Sequence, residues 1–129
     1  MIAKGPEKHQ PTILVVEDDE ATRDVMTRIL VSEGYLVLSA ATAHDALGLV
    51  RTPLSPIDVV LLDVHLPDVS GIDLCARLKE SNPKLPIVVC SGEAEPEEIG
   101  ELVKLGIHRY FRKPLAMDEL LAAVEASLP

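Results

Sequence analysis

One apolar run near the middle of the chain constrains the fold more than any other feature. Val59–Leu62 contains no polar residue, ends on the carboxylate Asp63, and is followed four residues later by Pro67. A short run of this kind is typical of a strand buried on both faces of a parallel sheet. Ligands bind where such strands finish, so Asp63 either faces a ligand site or starts a turn before the proline.

A second strand with a similar ending favours the ligand site. The apolar strand predicted over 12–17 runs directly into Glu17, Asp18, Asp19 and Glu20. The carboxyl ends of parallel strands lie along one edge of a sheet, so these acids are expected to meet Asp63 there. Glu17 and Asp18 are the expected site residues. Asp19 and Glu20 are instead expected to begin a solvated helix, where the helix dipole favours acidic side chains.

The rest of the chain alternates helices and strands. Glycines are expected to end the first and fourth helices (Gly34 and Gly106), and hydroxyl side chains to cap the second and third (Thr42 and Ser70). Five β-α units predict an α/β, doubly wound (βα)5 three-layer sandwich, flavodoxin-like, with a parallel five-stranded sheet of order 2-1-3-4-5. The predicted strands are 12–17, 35–40, 58–63, 87–90 and 108–112, and the predicted helices are 20–33, 43–50, 70–80, 95–104 and 117–128.

Size and composition restrict the class of protein. The 129 residues suit one domain over 12–129, preceded by a flexible lead-in over 1–11. No apolar run suggests a membrane span or a signal peptide, so a cytoplasmic location is expected. Acidic residues outnumber basic ones 21 to 12, and the net charge of −9 argues against direct binding of nucleic acid. Cys75 and Cys90 lie in apolar segments and are expected to be buried, reduced thiols.

The strand ends together supply a chemically coherent set of side chains. Glu17 and Asp18 follow the first strand, Asp63 the third, Ser91 the fourth and Lys113 the fifth. Two carboxylates 4 Å apart repel by roughly 4 kcal/mol at an effective dielectric near 20, so such a cluster needs a cation or a shared proton. A few carboxylate oxygens suit Mg²⁺, while a lysine and a hydroxyl suit a phosphoryl oxygen.

This ordered set resembles the receiver domain of two-component response regulators, the CheY-like superfamily, over about residues 12–127. The resemblance implies a phosphoacceptor signalling domain, with self-catalysed phosphorylation and slow autodephosphorylation, rather than an enzyme acting on a separate substrate. Its partners would be a histidine kinase or histidine phosphotransfer protein, and an output domain or effector. The motifs that carry it are Glu17-Asp18, Asp63 with Pro67 and Gly71, Ser91-Gly92, and Lys113-Pro114.

The resemblance also implies a role for each site residue. Asp63 would accept the phosphoryl group, Ser91 and Lys113 would contact it, and Tyr110 would be the switch aromatic that reports the state of Ser91. The Lys113–Pro114 bond would be cis. Mg²⁺ would be held by Glu17, Asp18, Asp63 and the backbone carbonyl of His65.

The same resemblance extends to signalling and to the lifetime of the phosphoryl group. The surface of the fourth helix, fifth strand and fifth helix would change on phosphorylation, and a phosphorylation-dependent dimer is possible. His65 and Glu93, each two residues beyond a site residue, are predicted to set the lifetime of the acyl phosphate. Tyr110 and Phe111 are adjacent in a strand, so they must point to opposite faces of the sheet, and one of them can be ordinary core.

Other functions fit the sequence less well. A haloacid-dehalogenase-like phosphohydrolase would carry its nucleophile after the first strand, and a flavodoxin-like nucleotide binder would need a phosphate loop where Glu17 to Glu20 stand. A pseudo-receiver that serves only as a docking scaffold would lack pocket residues, and none is missing. The chain is expected to be a module of a larger regulator or hybrid kinase, with a free-standing receiver as the alternative.

Overall fold

Strands and helices alternate along the whole computed structural model, which describes residues 10–51, 56–92, 94–107, 109–113 and 116–128. Every predicted element forms, and its ends differ from the prediction by one residue at most. The elements are β1 (Thr12–Val16), α1 (Glu20–Ser32), β2 (Leu36–Ala40), α2 (Ala43–Val50), β3 (Val59–Leu62), α3 (Gly71–Ser81), β4 (Ile87–Ser91), α4 (Pro96–Lys104), β5 (Arg109–Arg112) and α5 (Met117–Ser127).

The five strands form one parallel sheet in the order β2-β1-β3-β4-β5, which confirms the predicted topology. The register brings the ends of the central strands level, because Val16 pairs with Leu62. Glu17 and Asp63 therefore follow at the same edge, where the Asp63 amide donates to the Val16 carbonyl at 3.1 Å. The pairing of β1 with β3 thus places the acidic ends of two strands side by side.

Alternate residues of the central strands fill two separate cores. In β3, Val60 and Leu62 pack toward α2, α3 and α4, which we call the three-helix face. Val59 and Leu61 pack toward α1 and α5, the two-helix face. All four side chains are essentially inaccessible to solvent. Burial on both sides explains why β3 reads as a continuous apolar run instead of an alternating one.

The predicted helix ends form for identifiable reasons. Gly34 and Gly106 adopt φ values of 96° and 86°, the left-handed region that glycine enters without a Cβ clash. Each closes its helix with paired backbone hydrogen bonds of the Schellman type. Thr42 caps α2 through the amide of Asp45, as expected. Ser70 caps α3 as well, but its hydroxyl accepts from the amide of Ile72. A capping box with Asp73 would have used the amide of Asp73, one residue later.

The two adjacent aromatics of β5 separate as the strand geometry requires. Tyr110 packs on the three-helix face and Phe111 on the two-helix face, and both side chains are partly buried. Cys75 and Cys90 are free and buried, and burial raises the pKa of each thiol to about 12. They behave as small apolar side chains, as predicted from their surroundings.

The structure describes only the last two residues of the predicted lead-in over 1–11. Residues 1–9 lie outside the described residues, so the lead-in stays a prediction there. Gln10 and Pro11 are already tied to the fold: the Gln10 amide donates to the Gly34 carbonyl at 2.8 Å, and the Pro11 carbonyl accepts from Leu36 at 3.0 Å. Within the described ranges, the helices are too short or too polar to traverse a bilayer.

Candidate functional site

The carboxylate of Asp63 is the centre of a hydrogen-bonded cluster at the carboxyl edge of the sheet. Its Oδ1 accepts from the Ser91 hydroxyl at 3.0 Å and from the His65 amide at 3.0 Å. Its Oδ2 accepts from the Lys113 ammonium at 2.9 Å. Asp63 is 8% exposed and Ser91 is fully buried. These contacts fix the carboxylate in one orientation while leaving it a narrow opening to solvent.

Glu17 is the second buried acid of the cluster and shares Lys113 with Asp63. One oxygen of Glu17 accepts from Lys113 and the other accepts from the Asp19 amide at 3.1 Å. Burial raises the pKa of Glu17, although the bond from Lys113 partly offsets this effect. Burial alone would lower the pKa of Lys113, but its hydrogen bonds to Glu17 and Asp63 outweigh that effect and raise it. Lys113 is therefore a fixed positive charge between two acids.

Asp18 completes a group of three carboxylates. Oxygen atoms of Glu17, Asp18 and Asp63 lie within 4.8 Å of one another, and Asp18 is the exposed member. Three carboxylates against one lysine leave the cluster with excess negative charge. Hard oxygen donors in small number suit Mg²⁺, which keeps several of its own waters, so the residues present fit this ion. Both oxygens of Glu17 and both oxygens of Asp63 already accept hydrogen bonds, so the exposed Asp18 is the carboxylate most accessible to such an ion.

Arg23 supports the acidic loop and was missed by the sequence reasoning. From α1 its guanidinium donates to the Glu17 carbonyl at 2.8 Å and lies 3.4 Å from the Asp18 carbonyl. The contacts hold the backbone that carries both acids. An arginine in the second turn of a helix gives no signal of this role, because many solvated helix faces contain one.

Gly71 allows the loop between β3 and α3 to fold tightly beneath the acceptor. Its amide donates to the Val64 carbonyl at 2.6 Å. A Cβ at this position would lie 2.5 Å from the Asp63 carbonyl oxygen and 2.5 Å from the Val64 Cα. Both neighbours are backbone atoms that cannot rotate away, so only glycine fits.

The remaining predicted residues are placed less centrally. Tyr110 lies on the same sheet face as Ser91, since it pairs with Val89 two residues before Ser91. The His65 side chain is 57% exposed, and its Nε2 lies 3.5 Å from a carboxylate oxygen of Glu98 in α4, a neighbour that the sequence did not indicate. Glu93 and Pro114 lie outside the described residues, so the lifetime role of Glu93 and the cis bond at Pro114 stay predictions.

Fold and site together define a receiver-type signalling domain. The acidic acceptor candidate follows β3, the second acid pair follows β1, and the hydroxyl and the lysine follow β4 and β5. A family model described as the response regulator receiver domain matches residues 13–125. The chain therefore belongs to the response regulator receiver domain family of two-component systems.

Individual relatives agree with this assignment. Over 116 residues the chain is 36% identical to the response regulator MprA of Mycolicibacterium vanbaalenii, covering 90% of this chain and 49% of that protein. Over 114 residues it is 32% identical to the cell cycle transcriptional regulator CtrA of Caulobacter vibrioides, covering 88% and 48%. The chain thus spans about half the length of the curated relatives it matches.

Solved structures show the same fold. The receiver domain protein (CheY-like) of Methanospirillum hungatei superposes with a TM-score of 0.87 at 30% identity, covering 92% of this chain and 93% of that one. The non-phosphorylated HemR receiver domain of Leptospira biflexa gives a TM-score of 0.83 at 31% identity, covering 92% and 94%. These matches extend over nearly the whole described fold.

Proposed function

We propose that this domain accepts a phosphoryl group on Asp63 from the phosphohistidine of a histidine kinase or histidine phosphotransfer protein. The observation that supports this most is the Asp63 carboxylate itself, which is nearly buried and held by the Ser91 hydroxyl, the His65 amide and the Lys113 ammonium. A side chain that only started a turn would not need a fully buried hydroxyl and a shared lysine around it.

The proposed transfer is a direct displacement at phosphorus. A carboxylate oxygen of Asp63 forms the new P–O bond while the P–N bond of the phosphohistidine breaks, and the imidazole nitrogen takes the electron pair. The reaction demands mainly in-line positioning and neutralisation of the phosphoryl oxygens. Lys113, 2.9 Å from Asp63, is placed to pair with one of those oxygens. The hydroxyl of Ser91 can redirect its hydrogen bond to another.

The carboxylates of Glu17, Asp18 and Asp63 would hold Mg²⁺, together with the backbone carbonyl of His65. When bound, the ion supplies neutralisation of the transferred group's negative charge, which a single lysine does not complete. Arg23 keeps the loop that carries Glu17 and Asp18 in place through its bonds to their carbonyls.

Switching would begin at Ser91. The acyl phosphate adds up to about two negative charges and three acceptor oxygens beside a buried hydroxyl. The hydroxyl of Ser91 already contacts Asp63, so a small displacement is enough for it to follow the phosphoryl group. Tyr110 lies on the same sheet face and would turn inward as that space opens. The α4-β5-α5 surface would then present a different shape to an output domain, an effector or a second copy of the domain.

The wider biological setting is also a proposal. Relatives about twice as long are named as transcriptional regulators, so this domain would act within, or together with, a cytoplasmic protein that controls transcription. Its net charge of −9 makes direct contact with nucleic acid unfavourable. The DNA-contacting part would be another domain or partner.

Phosphorylation with a small-molecule donor tests the proposal. The purified domain is incubated with acetyl phosphate and Mg²⁺, and its intact mass is followed. We expect the wild type to gain one phosphoryl group and Asp63→Ala to gain none. Asp73→Asn, an exposed acid on α3, is the matched control and should behave as the wild type. A wild type that gains no phosphoryl mass, or an Asp63→Ala variant that gains it equally, contradicts the proposal.

A docking scaffold without phosphorylation is the alternative that the same protein can test. The amide NMR spectrum of such a scaffold would not change when Mg²⁺ and beryllium fluoride, a mimic of the phosphoryl group, are added. The mimic binds only where the acceptor site is intact. Because Glu17, Asp18, Asp63, Ser91 and Lys113 are all present and converge, we expect amide resonances around Asp63 and along β4 to shift.

The lifetime of the acyl phosphate is proposed to depend on His65 and Glu93. The His65 side chain is more than half exposed, two residues beyond the acceptor, where it would limit the approach of water to the acyl phosphate. We expect His65→Ala to lose phosphate a few-fold faster than the wild type, and Glu93→Ala to alter the same rate. The decay of phosphorylated protein after removal of the donor measures this. Unchanged decay in both variants would refute the role.

A further inference from the structure

The loop between β3 and α3 is attached to the rest of the molecule by Asp68. Its Oδ1 accepts from the Ala43 amide and its Oδ2 from the His44 amide, each at 2.9 Å. These are the first two amides of α2, which have no partner within their own helix. One carboxylate therefore caps a helix that lies 24 to 25 residues away in the chain.

The remaining amides at this helix end are satisfied locally. The Thr42 hydroxyl accepts from the Asp45 amide at 3.1 Å, and the Thr42 carbonyl accepts from Ala46 at 3.1 Å. Thr42 and Asp68 thus divide the start of α2 between them. Among the hydrogen bonds of the described residues, those to Asp68 connect this helix end to the loop that carries Asp63.

The attachment lies on the opposite side of the loop from its base. The base of the loop is closed by the hydrogen bond from Gly71 to the Val64 carbonyl at 2.6 Å. Asp68 holds the far side of the loop through its hydrogen bonds. Leu66 and Val69 also pack against the core there, but apolar contacts are not directional. His65 lies between these two anchor points, and its amide bonds to Asp63. Hydrogen bonds at both ends of the loop restrict the backbone conformations that are open to the residues between them, His65 included.

We propose that Asp68 is a positioning residue for the metal site, acting through the loop to hold the His65 carbonyl toward the carboxylates of Asp18 and Asp63. The proposal rests on the function proposed above, because it assumes that these groups bind Mg²⁺. It assigns to Asp68 an effect on metal affinity that a helix cap alone would not have. Positioning partners of metal ligands typically contribute about 10- to 100-fold in affinity.

The test compares two caps of the same helix end. Asp68→Ala removes the attachment, and Thr42→Ala removes the neighbouring cap without touching the loop. Both variants should lower the midpoint of thermal unfolding. Only Asp68→Ala should weaken Mg²⁺ binding, by about tenfold, in a titration followed by amide chemical shifts. Asp68→Asn retains one acceptor oxygen, so its Mg²⁺ affinity should lie between those of Asp68→Ala and the wild type. This variant replaces Asp68→Ala in the comparison if Asp68→Ala folds poorly.

A second readout needs no metal. In the metal-free protein, Asp68→Ala should speed hydrogen exchange at the His65 and Gly71 amides as well as at Ala43 and His44, whereas Thr42→Ala should leave His65 and Gly71 protected. Equal Mg²⁺ affinity and equal exchange in the two variants would overturn the proposal. Failure of the wild type to bind Mg²⁺ at all would instead reject the proposed function, because the exchange experiment still reports whether Asp68 holds the loop.

Discussion

At the scale of single residues, the site places one lysine beside a cluster of three carboxylates. Lys113 lies between Glu17 and Asp63, whose hydrogen bonds raise its pKa above the ordinary value despite burial. Burial raises the pKa of Glu17, so the metal-free protein holds that carboxylate as an anion at some cost. Asp18 adds a third negative charge within 4.8 Å. The arrangement is suited to binding a cation and is less than optimal without one.

Removing one of these charges should therefore stabilise the metal-free protein. We expect Asp18→Asn to raise the midpoint of thermal unfolding by about 2–5 °C, equivalent to about 1 kcal/mol of relieved repulsion. The same variant should lose most of the extra stability that the wild type gains from added Mg²⁺. Thermal unfolding followed by circular dichroism with and without the metal measures both effects.

The control for Asp18→Asn changes the net charge by the same amount elsewhere. Glu101 is exposed in the middle of α4, and Glu101→Gln should leave both the metal-free midpoint and the Mg²⁺ response close to those of the wild type. If Asp18→Asn destabilised the metal-free protein, repulsion within the cluster would not be the dominant effect.

At the scale of the elements, the junction between β3 and α3 depends on one glycine. Gly71→Ala would place a Cβ 2.5 Å from backbone atoms of Asp63 and Val64, so the loop or the helix must shift. We expect a loss of about 1–3 kcal/mol in the free energy of unfolding, as for other overpacked sites. Phosphorylation by acetyl phosphate should also slow, because the shift displaces the acceptor. Urea unfolding and intact-mass kinetics measure the two effects.

A second helical glycine provides the matched comparison. Gly100 lies within α4, and a Cβ there would meet no atom within 4 Å. Gly100→Ala should stabilise the protein by about 0.5–1 kcal/mol, since alanine loses less backbone entropy in a helix. Destabilisation by both substitutions would mean that the close approach at Gly71 is not the cause.

The start of α2 should show a characteristic pH dependence. Hydrogen bonds from Ala43 and His44 hold the pKa of Asp68 below its ordinary value of 3.8. A carboxyl with a lowered pKa in the folded state stabilises the protein above its unfolded-state pKa, and this contribution disappears as the pH falls through the folded-state pKa. The difference in thermal midpoint between the wild type and Asp68→Asn should therefore be largest at neutral pH and should disappear in acid.

Amide chemical shifts give the direct measurement of that pKa. The Ala43 and His44 amides should titrate together with a midpoint below 3.8 in the wild type, and they should lose this titration in Asp68→Asn. A midpoint at or above 3.8 would show that the two hydrogen bonds do not favour the charged carboxylate.

The sequence predicts whatever depends on local pattern or strand order. The apolar run of β3, the glycine stops at Gly34 and Gly106 and the convergence of Glu17 with Asp63 all follow from periodicity and from the shared edge of a parallel sheet. Asp68 and Arg23 could not be assigned in this way. Their partners are backbone groups of other loops or elements, and the distances between those elements are set by packing.

At the scale of the whole molecule, the pairing of β4 with β5 joins the site to the expected output surface. Ser91 ends β4 and pairs with Arg112 of β5, and its carbonyl accepts from the Lys113 amide at 3.0 Å. Tyr110 precedes Arg112 on the same face. A ligand shifts a conformational equilibrium only through contacts that differ between the two states. Here the differing contact would be the one that the Ser91 hydroxyl makes, first with Asp63 and then with the phosphoryl group.

The small number of aromatics makes this route observable. The chain has two tyrosines, and Tyr35 packs on the two-helix face beside the start of β2, at the end of the sheet opposite to the site. Protein labelled with fluorotyrosine should therefore give two ¹⁹F resonances. With beryllium fluoride and Mg²⁺, the Tyr110 resonance should shift while the Tyr35 resonance stays in place, and Tyr110→Phe assigns the signals. Ser91→Ala should abolish the shift even where the mimic still binds, because the hydroxyl is the group that carries the change to Tyr110. A Tyr110 signal that never moves, or one that moves equally in Ser91→Ala, would mean that the switch follows another route through the fold.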